Sequence, residues 1–160
     1  LYGWSPRMRY DIAINKIIRD MVFSKKIEIL GGTQLRFFCY NLFACKVINK
    51  IINEKSKKKN SKIFNIGNFN TNIVQLSKKI LSLTKIKGVN VFHETNTIDK
   101  RSYEVSTESS KKLIKNLNFD KFTNNSIIET FNKIKKDKLP FSDKKITLSI
   151  YKKYLNKDNV

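Results

Sequence analysis

Between residues 10 and 60 the spacing of apolar side chains changes twice, and those changes leave few folds open. From Tyr10 to Val22, the residues Ile14, Ile17, Ile18, Met21 and Val22 recur at i, i+3, i+4, i+7 and i+8. This is the stripe of an amphipathic helix, with Asp11 placed to cap it. Lys26 to Leu30 then alternates, Gly31-Gly32 supplies a turn, and Leu35 to Tyr40 is aromatic and β-favouring. The pattern predicts two strands flanking a hairpin-like connection. Helical spacing returns from Ala44 through Val47, Ile48, Ile51 and Ile52, and stops at the charged run 54–62 (EKSKKKNSK), which reads as a surface loop.

The rest of the chain keeps alternating. Ile63 to Gly67 has the pattern of a short buried strand, and Thr71 or Asn72 can cap a helix carrying Ile73, Leu76, Ile80 and Leu83. Val89 to Phe92 follows Gly88 as a further strand. Thr107 opens a helix with Leu113, Ile114 and Leu117, and Thr123 opens another with Ile127, Ile128, Phe131 and Ile134. Strands and helices in alternation predict a small α/β or α+β unit rather than a helical bundle. We expect residues 1–136 to form that unit and residues 137–160 a Lys-rich peripheral extension. There is no internal repeat.

The chain has 160 residues, of which 40% are hydrophobic, with two prolines and five glycines, a balance that fits one globular domain and excludes disorder or a Gly/Ser linker. No apolar run reaches the roughly 18–20 residues of a membrane span, and the first residues lack a signal-peptide layout, so a cytoplasmic location is expected. The opening at Leu1, directly into a dense motif, leads us to expect the continuation of a longer polypeptide. Cys39 and Cys45 form no CxxC and are read as reduced thiols buried for packing. His93 is the single histidine, and no acidic cluster accompanies it, so a metal site is not expected.

The net charge of +20 is the footprint of a polyanion binder, and a stand-alone basic module binding nucleic acid through Lys is one reading. Of the 33 basic residues, however, only five are arginine. Lys, Ile and Asn all have AT-rich codons, and their joint abundance points to coding bias spread over the solvated surface. Lys57-Lys58-Lys59 is then a solvated loop, and Trp4 and Phe37-Phe38 are core aromatics rather than base-stacking ones. The arginines carry more information.

Residues 2–15, Tyr-Gly-Trp-Ser-Pro-Arg-Met-Arg-Tyr-Asp-Ile-Ala-Ile-Asn, resemble the YG-x-SPRMR-[FY]-D-x-x-x-N stretch of the extended short-chain dehydrogenases/reductases of the NAD-dependent epimerase/dehydratase family. Gly31-Gly32-Thr33-Gln34-Leu35-Arg36 is similar to that family's G-x-x-x-R turn, Phe64-Asn65-Ile66-Gly67 with Asn72 to its FN[VI]G…N, and 99–106 (DKRSYEVS) to its D-x-R-x-Y-x-V. Leu117-Asn118-Phe119 resembles its LGF. The blocks are collinear over residues 1–136. The sequence departs from the family after Arg36, where Phe37 replaces Pro, and at Leu42-Phe43, which stand where an Asp is usual.

The resemblance implies the C-terminal, substrate-binding subdomain of an extended Rossmann-type dehydrogenase, without its N-terminal dinucleotide-binding core. In the family, Tyr-x-x-x-Lys performs the chemistry and a glycine-rich turn holds NAD or NADP at a helix N-terminus. No Tyr of this chain has Lys four residues on, and its glycines form neither GxGxxG nor GxxGxxG. The implied partner is a nucleotide sugar, with room for a homodimer of the complete enzyme. Arg36 and Arg101 match residues that contact the substrate diphosphate, for which a planar guanidinium fork is suited; their plainer reading is surface or ion-pair arginine. Asn15 matches an Asn near the substrate phosphate, and Arg9, more than Arg7, is expected to line the same pocket. Tyr2 and Gly3 match positions near the nicotinamide. Asn65 and Gly67 are read as structural.

Overall fold

The computed structural model describes residues 1–53, 63–95, 101–147, 151 and 154. The charged run 54–62, Asp99, Lys100 and most of residues 148–160 lie outside the described residues. The α/β class expected from the sequence is the class observed. Its elements are α1 (Ala13–Phe23), β1 (Lys26–Leu30), β2 (Leu35–Phe38), α2 (Asn41–Asn53), β3 (Phe69–Asn72), α3 (Ile73–Thr84), β4 (Asn90–Glu94), α4 (Glu108–Leu113) and α5 (Phe119–Ile134), followed by a 3-10 turn, Asp143–Lys145.

The apolar stripe of α1 does what its spacing requires: Ile14, Ile17, Ile18 and Met21 are buried, together with Leu76 and Ile80 of α3 and Ile127 and Ile134 of α5. These three helices pack on one another, and β1 lies against α1 and α3. Each fully buried Ile or Leu contributes roughly 1.5–3 kcal/mol by removal from water, so this helical layer holds the unit together.

The two strands around Gly31-Gly32 do not make a hairpin. β1 pairs in parallel with β4, Lys26 opposite Asn90, and β2 pairs antiparallel with β3, Leu35 opposite Asn72. The turn diverts the chain instead of reversing it. Gly31 donates its N–H to Glu94 O at 2.8 Å, while Gly32, at φ +90°, offers its carbonyl to Val74 N–H at 3.2 Å. One backbone group of each glycine is thereby committed, to β4 and to α3 respectively, and β1 and β2 leave in separate sheets.

Other boundaries shift for identifiable reasons. Ile63 to Gly67 is not a buried strand: Ile63 is 96% exposed, and pairing begins only at Phe69, after Asn68 N–H bonds to Phe38 O at 2.8 Å. Asp11 does not cap α1, because its carboxylate takes the guanidinium of Arg9 and Ile12 occupies the cap position without a side-chain bond. α2 starts at Asn41, three residues before Ala44. Asn72 caps α3 by accepting from Gln75 N–H at 2.8 Å. Asn118 caps α5 in the same way through Lys121 N–H at 2.9 Å, so that helix begins at Phe119 and Thr123 faces the core. Thr107 caps α4 by position, without a side-chain bond. Cys39 is buried, but Cys45 is exposed on α2 and is not a packing thiol.

Two substitutions test this account by urea unfolding. Asn118→Ala, which removes the cap oxygen, is expected to destabilise the chain by about 0.5–2 kcal/mol. Gly3 has φ +113°, and a Cβ there would lie 2.6 Å from Asn41 Oδ1 and 2.7 Å from the Tyr40 ring. Gly3→Ala is therefore expected to cost about 1–3 kcal/mol, from backbone strain and displacement of Asn41.

Candidate functional site

Two clefts meet where the first residues of the chain cross the end of β2. The larger, about 560 Å³, lies between the start of α1 and β2, with Asp11, Ile12, Arg36, Phe37 and Tyr103 in its wall. The smaller, about 230 Å³, has Gly3, Arg7, Arg9, Asn15 and Asn41 in its wall. Leu1, Tyr2 and Ile12 border both.

Arg36 sits on β2 opposite Thr71. Its Nη1 donates to its neighbour's carbonyl, Leu35 O, at 2.8 Å and to Arg101 O, and its guanidinium lies 5.5 Å from the Tyr103 ring centroid. The segment carrying Arg101 is pinned to the β2–β3 ribbon. Leu35 N–H donates to Ser102 Oγ at 3.0 Å and Tyr103 N–H to Leu35 O at 3.4 Å. Asn70 makes a reciprocal pair with the Val105 backbone at 3.0 and 3.1 Å. Arg36 and Arg101, 65 residues apart, thus occupy neighbouring positions, with Arg36 in the cleft wall and Arg101 exposed beside it.

Around the smaller cleft the arginines differ. Arg9 grips Asp11 with two charge-assisted bonds, Nε to Oδ1 at 3.0 Å and Nη2 to Oδ2 at 2.7 Å. Asp11 is buried there, with 5% of its side chain exposed against 49% for Arg9. Arg7 is exposed, in a turn where Ser5 Oγ donates to Arg7 O at 2.7 Å. Asn15 is 2% exposed; its Oδ1 accepts from Gly3 N–H at 3.3 Å and its Nδ2 donates to Arg9 O at 3.1 Å. It staples the two stretches of chain that form the wall.

Tyr2 is nearly enclosed. Its hydroxyl is 2.5 Å from Ser126 Oγ on α5, and its ring packs on Tyr40 at 5.4 Å and Phe69 at 6.3 Å. Burial pushes the phenol's pKa up. Sequence reasoning did not single out Asp11, Phe37 or Tyr103 as cleft walls. Tyr103 stood inside a quoted block between Arg101 and Val105, whereas Asp11 was read as a helix cap. Trp4 and Phe38 pack against the core as expected, whereas Phe37, expected there too, lines the larger cleft instead. His93 Nε2 lies 2.6 Å from Gly31 O. Among the described residues no group of three or more His, Cys, Asp or Glu could hold a metal ion, and no helix is long and apolar enough to cross a membrane.

No family model matches the sequence, and no curated protein does either. Solved structures do match by shape. A UDP-glucuronic acid 4-epimerase from Bacillus cereus, in complex with UDP-glucuronic acid and NAD, superposes with a TM-score of 0.60 at 20% identity, covering 84% of this chain and 42% of its own. An NAD-dependent NDP-hexosamine 5,6-dehydratase involved in tunicamycin biosynthesis gives 0.64 at 12% identity, over 86% and 44%. A dTDP-glucose 4,6-dehydratase from Bacillus anthracis, in complex with NAD, gives 0.62 at 18%, over 85% and 43%. The chain spans less than half the length of each, and its α/β architecture is the fold of that portion of these nucleotide-sugar epimerases and dehydratases.

Proposed function

We propose that this chain is the nucleotide-sugar-binding portion of an NAD(P)-dependent epimerase or dehydratase, with the substrate diphosphate held beside the larger cleft by Arg36 and Arg101. The observation that carries this reading is the convergence of those two residues. Contacts between β2 and the segment after residue 100 set their backbones together at a cleft edge, in a fold shared with epimerases and dehydratases. A planar guanidinium anchored to the main-chain carbonyls of Leu35 and Arg101 is oriented in advance, which lowers the cost of ordering it on phosphate. Tyr103, under the Arg36 guanidinium, adds an aromatic face to the same edge. Gly3, Arg7, Arg9 and Asn15 then form the neighbouring wall, with Asn15 acting through the backbone it holds.

The Gly31-Gly32 turn does not fit the cofactor. A dinucleotide pyrophosphate needs backbone N–H groups presented by a glycine-rich turn at a helix N-terminus. Here Gly31 N–H is engaged with Glu94 O, and Gly32 O is bonded to Val74 N–H at the start of α3. In this reading NAD or NADP and the Tyr-x-x-x-Lys pair belong to another part of the parent enzyme, and this portion contributes binding and orientation.

Titration of the 160-residue chain with UDP and with a UDP-sugar tests the assignment. Arg36→Lys and Arg101→Lys should each weaken binding by about 1–3 kcal/mol at unchanged formal charge, since an ammonium cannot reproduce the guanidinium fork. The chain alone should show no NAD-dependent turnover. Salt-dependent binding to arbitrary DNA, with no uptake of UDP or UDP-sugar, would instead favour the basic-module reading.

A further inference from the structure

Tyr10 stands between Arg9, in the wall of the smaller cleft, and Asp11, in the wall of the larger, yet it is itself only 1% exposed. The backbone from Met8 to Ile12 belongs to no helix or strand. With no ladder of its own, its path is set by individual contacts. Tyr10 is held at both its backbone and its hydroxyl by chain that follows α5. Its N–H donates to Lys145 O at 2.8 Å, and its hydroxyl donates to Asp137 Oδ2 at 2.6 Å across 127 residues.

Asp137 is the hub of this contact. Lys145 Nζ reaches both of its oxygens at 2.6 Å, and Leu139 N–H donates to Oδ1 at 3.0 Å. Its side chain is 6% exposed. Burial alone would raise the carboxyl's pKa, but the bonds from Lys145, Tyr10 and Leu139 outweigh it and hold the group below the ordinary range. A second anchor lies alongside. The Arg19 guanidinium sits 5.4 Å from the Tyr10 ring centroid and 5.1 Å from that of Phe141, whose ring meets Phe23 edge-on at 6.2 Å. Arg19 is also paired with Asp20 at 2.5 Å.

We propose that the turn from Asp137 to Lys145 is a strap that fixes Arg9, Tyr10 and Asp11 in their cleft-lining positions, with Asp137 and Lys145 as positioning residues. The consequence for ligand binding rests on the nucleotide-sugar reading above. The strap acts by removing alternative paths for five irregular residues. Its loss therefore registers locally, before the α1–α3–α5 core is disturbed.

The test is amide hydrogen exchange of the full chain, paired with UDP titration, for wild type, Asp137→Asn and Arg36→Lys. Asp137→Asn should speed exchange at the amides of residues 9–12 about tenfold or more while protection at Leu76 and Ile80 holds, and should weaken UDP binding about threefold or more. Arg36→Lys should weaken UDP binding and leave exchange at residues 9–12 unchanged. Should Asp137→Asn fail to fold, Phe141→Ala loosens the strap without touching the buried carboxylate and carries the same expectation. Unchanged exchange at residues 9–12 overturns the strap, and faster exchange with unaltered UDP affinity overturns its positioning role. A wild-type chain that binds no UDP overturns the functional reading, and exchange alone then decides the strap.

Discussion

Tyr2 is the joint on which the rest of the structure turns. Its N–H donates to Cys39 O at 2.8 Å, its carbonyl accepts from Asn41 N–H at 3.0 Å, and its hydroxyl meets Ser126 on α5. One residue thus links the opening segment, the passage from β2 into α2 and the final long helix. Both clefts are bordered by it. Each of its polar groups is buried and partnered, so displacing Tyr2 would leave several donors and acceptors without water or protein, at about 1–3 kcal/mol apiece. Gly3 follows at positive φ, where the chain turns toward Asn15 under the Tyr40 ring.

Periodicity carried the helices well because burial enforces it. Ile14, Ile17, Ile18 and Met21 on α1, and Leu76 and Ile80 on α3, could be picked out from spacing alone. Strand partnership was not legible. Gly31-Gly32 between two β-favouring stretches has the local chemistry of a hairpin, but the competing bonds come from Glu94 and Val74, far along the chain. Ile63 to Gly67 has the composition of a strand, yet among the described residues no partner strand takes it up, and Gly67 instead packs beneath the Phe37 ring. Helix starts moved where an Asn competed with a more familiar cap. Asn118 caps α5 ahead of Thr123, and Asp11 was drawn away from α1 by a guanidinium two residues before it.

For the candidate site, the sequence named Arg9, Asn15, Arg36 and Arg101 as candidates but not Asp11, Phe37 or Tyr103, and their relations came from the structure. Arg36 and Arg101 were legible as a pair through their motifs, whereas the bonds from Ser102 and Asn70 that bring their segments together were not. Asn15 was legible as a position but not as a staple, because its two partners are backbone groups. The strap was invisible in sequence, since nothing in Asp137 or Lys145 marks them apart from a Lys-rich tail. The identities of 12–20% to solved enzymes fit this division, because packing and backbone pairing tolerate many side chains that keep burial and shape.

The parallel pairing of β1 with β4 also governs how the molecule comes to exist. Lys26 faces Asn90, so β2, α2, β3 and α3 must all be traversed before the pair can close. Closure entropy grows only logarithmically with the length of the intervening chain, and the equilibrium cost is modest. The time required is the larger matter, since parallel contacts between distant segments form slowly. Until they form, β1 and β4 present unpaired backbone, and Val91 and Phe92, half-exposed even in the finished fold, stand beside it. Such an edge is a template for another copy of the same strand. Intramolecular closure is independent of concentration and intermolecular pairing is not, so the yield of correctly paired chains is set by how crowded the nascent molecules are.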